Sequence, residues 1–473
     1  MKPIKFGTDG WRAIIAEQYT FENVNLVSQA VARWILEEKV GSNGVLIGYD
    51  ARFLSREFAE HAATVFAAME IPVRMSNRII PTPAISWGAK EFDAVGIVIT
   101  ASHNPPEYNG FKIKPPFGGS AKPGQIQAVE KHLSEIDTPI HTKTYHDCLR
   151  AGLIREMNLV EGYLDSIRKK IDIKNIEKSG LRIAHDPMFG SGSGLVKELI
   201  GNNVEEINNV RDPLFGGTAP EPIESKLGQL SELVVKTGCD IGLANDGDAD
   251  RIGMIDECGE FVSSHQILSL LVEYLHGKKK MDGAIVKTVS TTDMLNRQAE
   301  KYGLPLEVTP IGFKYVGEKI ISGNVLVGGE ESGGIAVKGH LPERDGIFIG
   351  LLIAEMMAAT EKKLSELVQG LFDEYGNHQY FRNDILTEDH KKTAMTNYCQ
   401  NKRLKKIAGI QVVDWDFTDG IKHLMEDGSW LLVRQSGTEP VLRIYSEAPR
   451  LEMARKLVED ASSWVDNPEI LNS

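Results

Sequence analysis

The stretch Val95-Gly96-Ile97-Val98-Ile99-Thr100-Ala101-Ser102-His103-Asn104-Pro105-Pro106 decides how the rest of the chain is read. Its first five residues are apolar and largely β-branched, the pattern of an interior strand of a parallel sheet. The run breaks at Ala101, and Pro105-Pro106 forbids an immediate helix. In open α/β sheets ligands gather beyond the carboxyl ends of the strands. Ser102 is therefore displayed at an expected binding edge, although a Ser and an Asn at a strand end also make an ordinary turn.

The same theme recurs along the chain. Val45-Leu46-Ile47-Gly48-Tyr49-Asp50 and Leu181-Arg182-Ile183-Ala184-His185-Asp186 look like first strands of α/β units. Cys239-Asp240-Ile241-Gly242-Leu243-Ala244, Gly283-Ala284-Ile285-Val286-Lys287 and Val325-Leu326-Val327-Gly328 are again strand-like. Strands alternating with helical sequence to about residue 370 predict parallel sheets with crossover connections. Beyond that point, Ser429-Trp430-Leu431-Leu432-Val433-Arg434 and Val441-Leu442-Arg443-Ile444-Tyr445-Ser446 flank a tight loop and predict antiparallel pairing. An amphipathic helix is expected over residues 451–464. Boundaries fall near residues 148, 256 and 369, giving units 1–148, 149–256, 257–369 and 370–473.

Composition narrows the class. With 473 residues, 42% hydrophobic and 25% charged, the chain reads as an ordinary globular protein of several domains. The longest apolar stretch, residues 347–359, is interrupted by Glu355 and is too short to span a bilayer. Residues 1–6 lack a signal-peptide core, and the cytoplasm is the expected compartment. Cys148, Cys239, Cys258 and Cys399 show neither metal-ligand spacing nor a disulfide pattern. A net charge of -13 argues against nucleic-acid or membrane-surface binding, because both targets are polyanions. A locally positive cleft for a small anion stays open.

Four further loops carry chemistry or could. In Asn245-Asp246-Gly247-Asp248-Ala249-Asp250-Arg251, three carboxylates alternate after a strand. So close together they repel unless a cation sits between them, and alternate residues of an extended segment face one side. Oxygen ligands favour a hard divalent cation, Mg²⁺ where phosphate is also bound. The later acidic ligand of EF-hand spacing is lacking. Gly328-Gly329-Glu330-Glu331-Ser332-Gly333-Gly334 offers Glu330 and Ser332 to sugar hydroxyls, or makes a Gly-rich turn. Arg434-Gln435-Ser436-Gly437-Thr438-Glu439-Pro440 offers a guanidinium and two hydroxyls to phosphate. Pro187-Met188-Phe189-Gly190-Ser191-Gly192-Ser193-Gly194 either contacts phosphate at a helix start or serves as a tight turn.

A nucleophile, a metal triad, a hydroxyl-reading loop and an anion loop, in this order, resemble the α-D-phosphohexomutase superfamily, which includes phosphoglucomutase, phosphomannomutase and phosphoglucosamine mutase. The resemblance covers essentially the whole length. It implies an α/β fold of four domains around a central cleft, three related mixed α/β domains and a C-terminal TBP-like α+β domain. It implies that Ser102 carries a phosphate and, with Asp246, Asp248 and Asp250, holds Mg²⁺. Arg251 would contact the transferring phosphoryl group, Glu330 and Ser332 would read sugar hydroxyls, and Arg434, Ser436, Gly437 and Thr438 would hold the other phosphate. Arg12, in Gly7-Thr8-Asp9-Gly10-Trp11-Arg12, matches the family's N-terminal Arg. Lys112, in Tyr108-Asn109-Gly110-Phe111-Lys112, matches a cleft Lys proposed for acid/base work, with His103 the other candidate. Lys287 and Lys314 complete the expected substrate-binding set.

The implied reaction passes a phosphoryl group from Ser102 to a hexose phosphate, through a 1,6-bisphosphate that also serves as activator. Small hexose phosphates are the implied partners of a monomer or homodimer. Pro310-Ile311-Gly312-Phe313-Lys314 and His340-Leu341-Pro342-Glu343-Arg344-Asp345-Gly346 resemble glucose-type members. Members handling both mannose and glucose often carry His where this chain has Gly334. Phe6-Gly7-Thr8-Asp9-Gly10 resembles phosphoglucosamine mutases. The same motifs also suit a bisphosphate synthase fed by a separate donor, and less well a phosphatase or a sugar-phosphate sensor.

Overall fold

The computed structural model describes residues 4–7, 9–402, 404–436 and 440–467. Every segment read above as a strand forms one, and the strands assemble into four sheets. The first runs Trp11–Ile14, Tyr108–Lys114, Val95–Ile99, Val45–Tyr49, Val73–Ser76, Ile154–Met157. Its last strand lies beyond residue 148, so the boundary expected there cuts a parallel pairing with Val73–Ser76. The second sheet runs Phe261–Val262, Ile252–Asp256, Ile241–Asn245, Ile183–Asp186, Val204–Glu206, and the third Leu306–Thr309, Ala284–Thr288, Val325–Gly329, Ile335–Val337.

These three sheets are mixed, which corrects the parallel reading. In each, a central strand turns back through a hairpin: Val95–Ile99 into Tyr108–Lys114, Ile241–Asn245 into Ile252–Asp256, and Val325–Gly329 into Ile335–Val337. Alternating apolar runs cannot reveal this, because a buried antiparallel strand is as apolar as a parallel one. The fourth sheet is antiparallel throughout and carries the helix Leu451–Ser463 on one face.

Strand alternation divides the first sheet's side chains between two cores. Val95, Ile97 and Ile99 pack with the helices Phe21–Glu38 and Ser55–Ala68, while Leu46 and Val98 face a core that continues through the second and third units. The apolar helix Gly346–Thr360 runs through that shared core. Its Glu355 is buried but satisfied, accepting from Tyr274 Oη at 2.6 Å and Asp172 N at 2.7 Å. No helix among the described residues is long and apolar enough to cross a membrane. The fourth unit keeps its own core and meets the third through Val289, Trp430, Leu432 and Tyr445.

Gly346 begins that central helix against the turn after Ile241–Asn245, and an added Cβ would overlap Arg251 O and Asn245 Nδ2. Both are backbone or backbone-anchored atoms, since Asn245 Nδ2 donates to Arg251 O at 2.9 Å. Gly346→Ala is expected to cost about 1–3 kcal/mol through overpacking. A thermal unfolding midpoint equal to that of the native protein would show that the helix can shift freely here.

Candidate active site

Ser102 sits in the hairpin after Val95–Ile99 with φ +54°, a left-handed conformation that a non-glycine residue holds only when its surroundings enforce it. The enforcement comes from Arg52, whose side chain is wholly buried. Its guanidinium donates to Ser102 O at 2.6 Å, Asn104 O at 2.7 Å, Pro105 O at 2.8 Å and Tyr108 O at 3.0 Å. Asp50 balances the charge at 3.1 Å and accepts from Thr100 Oγ1, which in turn accepts from Ser102 N. One planar fork thus fixes the whole loop. The sequence displayed Asp50 at a strand end but carried no signal that Arg52 would reach a loop about fifty residues away.

Ser102 Oγ donates to Asp246 Oδ2 at 2.7 Å. Asp246, Asp248 and Asp250 each offer an oxygen within 4.8 Å of the others, as expected. The reason differs from the one read in the sequence. Residues 246–249 form a turn, with Ala249 N donating to Asp246 O and Ala249 at φ +57°, so curvature rather than strand alternation gathers the carboxylates. Asp248 Oδ1 and Asp250 Oδ1 are buried without a hydrogen-bond partner. Buried carboxylate oxygens of that kind fit a hard divalent cation. Burial and the neighbouring Asp250 and Asp248 charges push Asp246 well above the usual carboxylate range, the repulsion that a bound cation would relieve.

Lys112 is not the exposed side chain that a lone Lys suggests. It is fully buried, with Nζ 2.7 Å from Asp248 Oδ2, 3.0 Å from Asp250 Oδ2 and 2.9 Å from Asp9 Oδ2. Burial alone would lower its pKa, but the three carboxylates reverse this and raise it, so the ammonium is held protonated. His103 is the opposite case. Burial, with Arg251 and Arg12 nearby, pushes it well below the ordinary histidine value and leaves a neutral imidazole. Its Nδ1 lies 3.4 Å from Ser102 Oγ and its Nε2 3.4 Å from Arg251 Nη2.

Sequence reasoning missed three members of this cluster. Asp9 takes Lys112, Lys114 and Arg344 on its two oxygens; burial would raise its pKa, but those three charges hold it well below the usual range. Arg344 reaches Asp250 Oδ2 at 2.7 Å and Asp9 Oδ2 at 2.6 Å, with Glu330 Oε1 at 3.6 Å. Thr82 clamps Asp248 twice, Oγ1 to Oδ2 at 2.5 Å and N to O at 3.0 Å. Asp9 and Arg344 stand inside segments singled out above, beside the residues that drew attention.

All four units line one cleft of about 1130 Å³. Arg12, His103, Arg251, Lys314, Glu330, Ser332, Arg434 and Ser436 all face it. Arg12 donates to Asn104 Oδ1 at 2.6 Å, and Arg434 pairs with Asp419 at 2.9 Å. Gly437 and Thr438 lie outside the described residues. Lys287 does not line the cleft: it is buried near the end of the interior strand Ala284–Thr288, donating to Thr292 O at 2.8 Å and Asp293 Oδ1 at 2.7 Å, which uses its charge structurally. The Gly-rich loop 187–194 is likewise a support, with Ser191 N donating to Gly247 O behind the triad. It serves as the tight turn, away from the cleft.

Two substitutions separate these roles. Asp248→Asn removes an anionic oxygen and is expected to weaken divalent-cation binding in a calorimetric Mg²⁺ titration; unchanged affinity would rule out the triad as the ion's site. Arg52→Lys keeps the charge but loses the fork, so turnover is expected to fall about 10²-fold, the scale of an ångström's misplacement, with cation affinity preserved.

Family models described as phosphoglucomutase/phosphomannomutase alpha/beta/alpha domains I, II and III match residues 3–139, 161–259 and 263–375, and the C-terminal domain model matches 392–462. A phosphoglucomutase/phosphomannomutase from Thermococcus kodakarensis is 32% identical over 459 residues, 96% of each chain. A phosphoglucosamine/phosphogalactosamine mutase from Sulfurisphaera tokodaii is 29% identical, covering 98% of this chain and 99% of its own. The crystal structure of a phosphomannomutase candidate from Thermus thermophilus superimposes with a TM-score of 0.86 at 33% identity, over 98% of this chain and 99% of that one. Four domain models in order, full-length relatives and a shared fold make this chain a member of the phosphoglucomutase/phosphomannomutase family of intramolecular phosphotransferases.

Proposed function

We propose that the enzyme interconverts hexose 1-phosphate and hexose 6-phosphate, glucose first, through a phosphoserine at Ser102 and a sugar 1,6-bisphosphate. The observation that carries this reading is Ser102 Oγ, buried and hydrogen-bonded to the acidic triad in a loop fixed by Arg52, directly before His103, which lines a cleft together with Arg434 and Ser436. A nucleophile beside a metal site at one end and cations at the other match a sugar with phosphate at either end. Glucose is favoured by the segments 310–314 and 340–346, and by Gly334 in place of His.

In the first half-reaction, a free hydroxyl oxygen of the bound sugar phosphate attacks phosphorus as the bond to Ser102 Oγ breaks. His103 is the neutral group that can accept the hydroxyl proton, and Lys112 the charged one that can donate. Arg251, Arg12 and Arg344 supply fixed positive charge around the transferring oxygens. A Mg²⁺ held by Asp246, Asp248, Asp250 and the phosphoserine would neutralise phosphoryl charge. The bisphosphate then turns end for end, and its other phosphate returns to Ser102. Glu330 and Ser332 read the sugar hydroxyls while Arg434, Ser436 and the following loop hold whichever phosphate is not reacting.

A ³¹P NMR time course with Mg²⁺ and glucose 1-phosphate tests the reading, with and without added fructose 1,6-bisphosphate. Conversion to glucose 6-phosphate with only traces of bisphosphate is expected. Accumulation of glucose 1,6-bisphosphate only with the donor would make the enzyme a synthase. Ser102→Ala is expected to lose nearly all transfer while still binding glucose phosphate, and near-native turnover would remove Ser102 as the phosphoryl carrier.

A further inference from the structure

A second cavity, about 570 Å³, opens on the outer side of the junction between the first and third units. Phe117, Ile320, Ile321, Val325 and Pro342 give it an apolar floor, and Lys90 and Lys338 supply its charged rim beside His340. Among the described residues no carboxylate lines it. Lys338 Nζ donates to the Asp282 carbonyl at 2.6 Å, and Lys170 Nζ stands 3.1 Å from His340 Nδ1 just behind the wall. His340 turns its Nε2 to Asp345 at 2.7 Å and stacks on Phe348, so its imidazole is fixed and buried. Burial depresses both Lys170 and His340, and the charge of Lys90 adds to it; the compensating carboxylate of Asp345 stands behind the wall rather than in the cavity.

On a chain of net charge -13, two exposed lysines over an apolar floor, with no carboxylate in the lining among the described residues, call for an anion with an apolar body. We propose that this cavity binds a small organic anion, a phosphate, sulfonate or carboxylate joined to an aromatic or apolar group, and that its occupant acts on the catalytic cluster. Two connections support the action. Lys90 lies in the last turn of the helix Thr82–Glu91, whose first residue clamps Asp248. The wall residues 338–342 lead directly into Glu343 and Arg344, which hold Lys114, Asp9 and Asp250. An anion drawing Lys90 and Lys338 together would pull on both ends of the triad's support.

Anilinonaphthalene sulfonate, an aromatic anion, is the probe. Its fluorescence is titrated on the full-length protein in the presence and absence of saturating glucose 1-phosphate. Binding that survives the sugar phosphate is expected, weakened about tenfold or more in Lys90→Glu/Lys338→Glu. Both lysines are exposed and outside the catalytic machinery, so basal turnover should be retained; Lys90→Gln/Lys338→Gln serves if charge reversal disturbs folding. Displacement by glucose 1-phosphate, or equal binding by the variants, would overturn the site. Turnover that shifts with bound probe in the native enzyme but not in the variants supports the coupling, and turnover indifferent to bound probe overturns it.

Discussion

The fully buried ammonium of Lys112 is the point on which the three α/β units agree. It belongs to the first unit, yet two of its carboxylate partners, Asp248 and Asp250, come from the second. Arg344 of the third completes the set by reaching Asp250 and Asp9. Taking such groups out of water costs several kcal/mol per ion, and removing one partner leaves an uncompensated buried charge. The cluster therefore specifies how the units dock more than it stabilises any one of them. The two oxygens of the acidic residues divide the work: Oδ2 of Asp248 and Asp250 serve Lys112, while both Oδ1 atoms are without a protein partner. The same residues can hold the assembly together and still present ligand oxygens.

Each unit meets this cluster with the same local device. A buried central strand runs toward the cleft, turns, and leaves antiparallel to itself, so the loop at the turn is anchored on both sides by ladder hydrogen bonds. In the fourth sheet Trp430–Gln435 and Val441–Ala448 are likewise paired antiparallel. The turns then touch one another. Gly247 lies so near Ser102 O that a Cβ there would come within 2.5 Å, and Ile252 N donates to Gly333 O at 3.2 Å. Backbone approach of this kind needs glycine at the contact, which accounts for the Gly in both turns.

Strands, loops and their order were legible because burial writes itself as apolar runs and turn chemistry as Gly, Pro and Asp. Strand direction was not, since Ile252–Asp256 and Ile335–Val337 are buried on both faces and carry no periodicity that separates parallel from antiparallel. Side-chain roles divided by range. The Asp triad is local and was read correctly in identity, though its convergence comes from a turn. Arg52 and Arg344 act across long separations, and a sequence shows an Arg without showing which carbonyls or carboxylates its fork will meet. Lys287 shows the same in reverse: the family resemblance put it among the expected substrate contacts, but Asp293, six residues on, pairs with it.

The fourth unit stands apart in the physics of its attachment. Its core is separate, and it meets the third unit through the small apolar set around Val289 and Trp430 and through polar contacts: Asp293 N to Glu447 Oε1 at 3.0 Å, Lys422 Nζ to Val289 O at 3.2 Å, and Ile311 N to Asp419 Oδ2 at 2.9 Å. Contacts of this kind resemble those between domains that move relative to one another. The three α/β units, by contrast, share one apolar core and one buried ion cluster. The side of the cleft with Ser102 and the acidic triad is thus the more firmly tied, and under the proposed function it faces a phosphate-holding side attached through a smaller interface. That division suits a reaction in which one end of the cleft must keep the reacting atoms in register while the other accepts a ligand in two orientations.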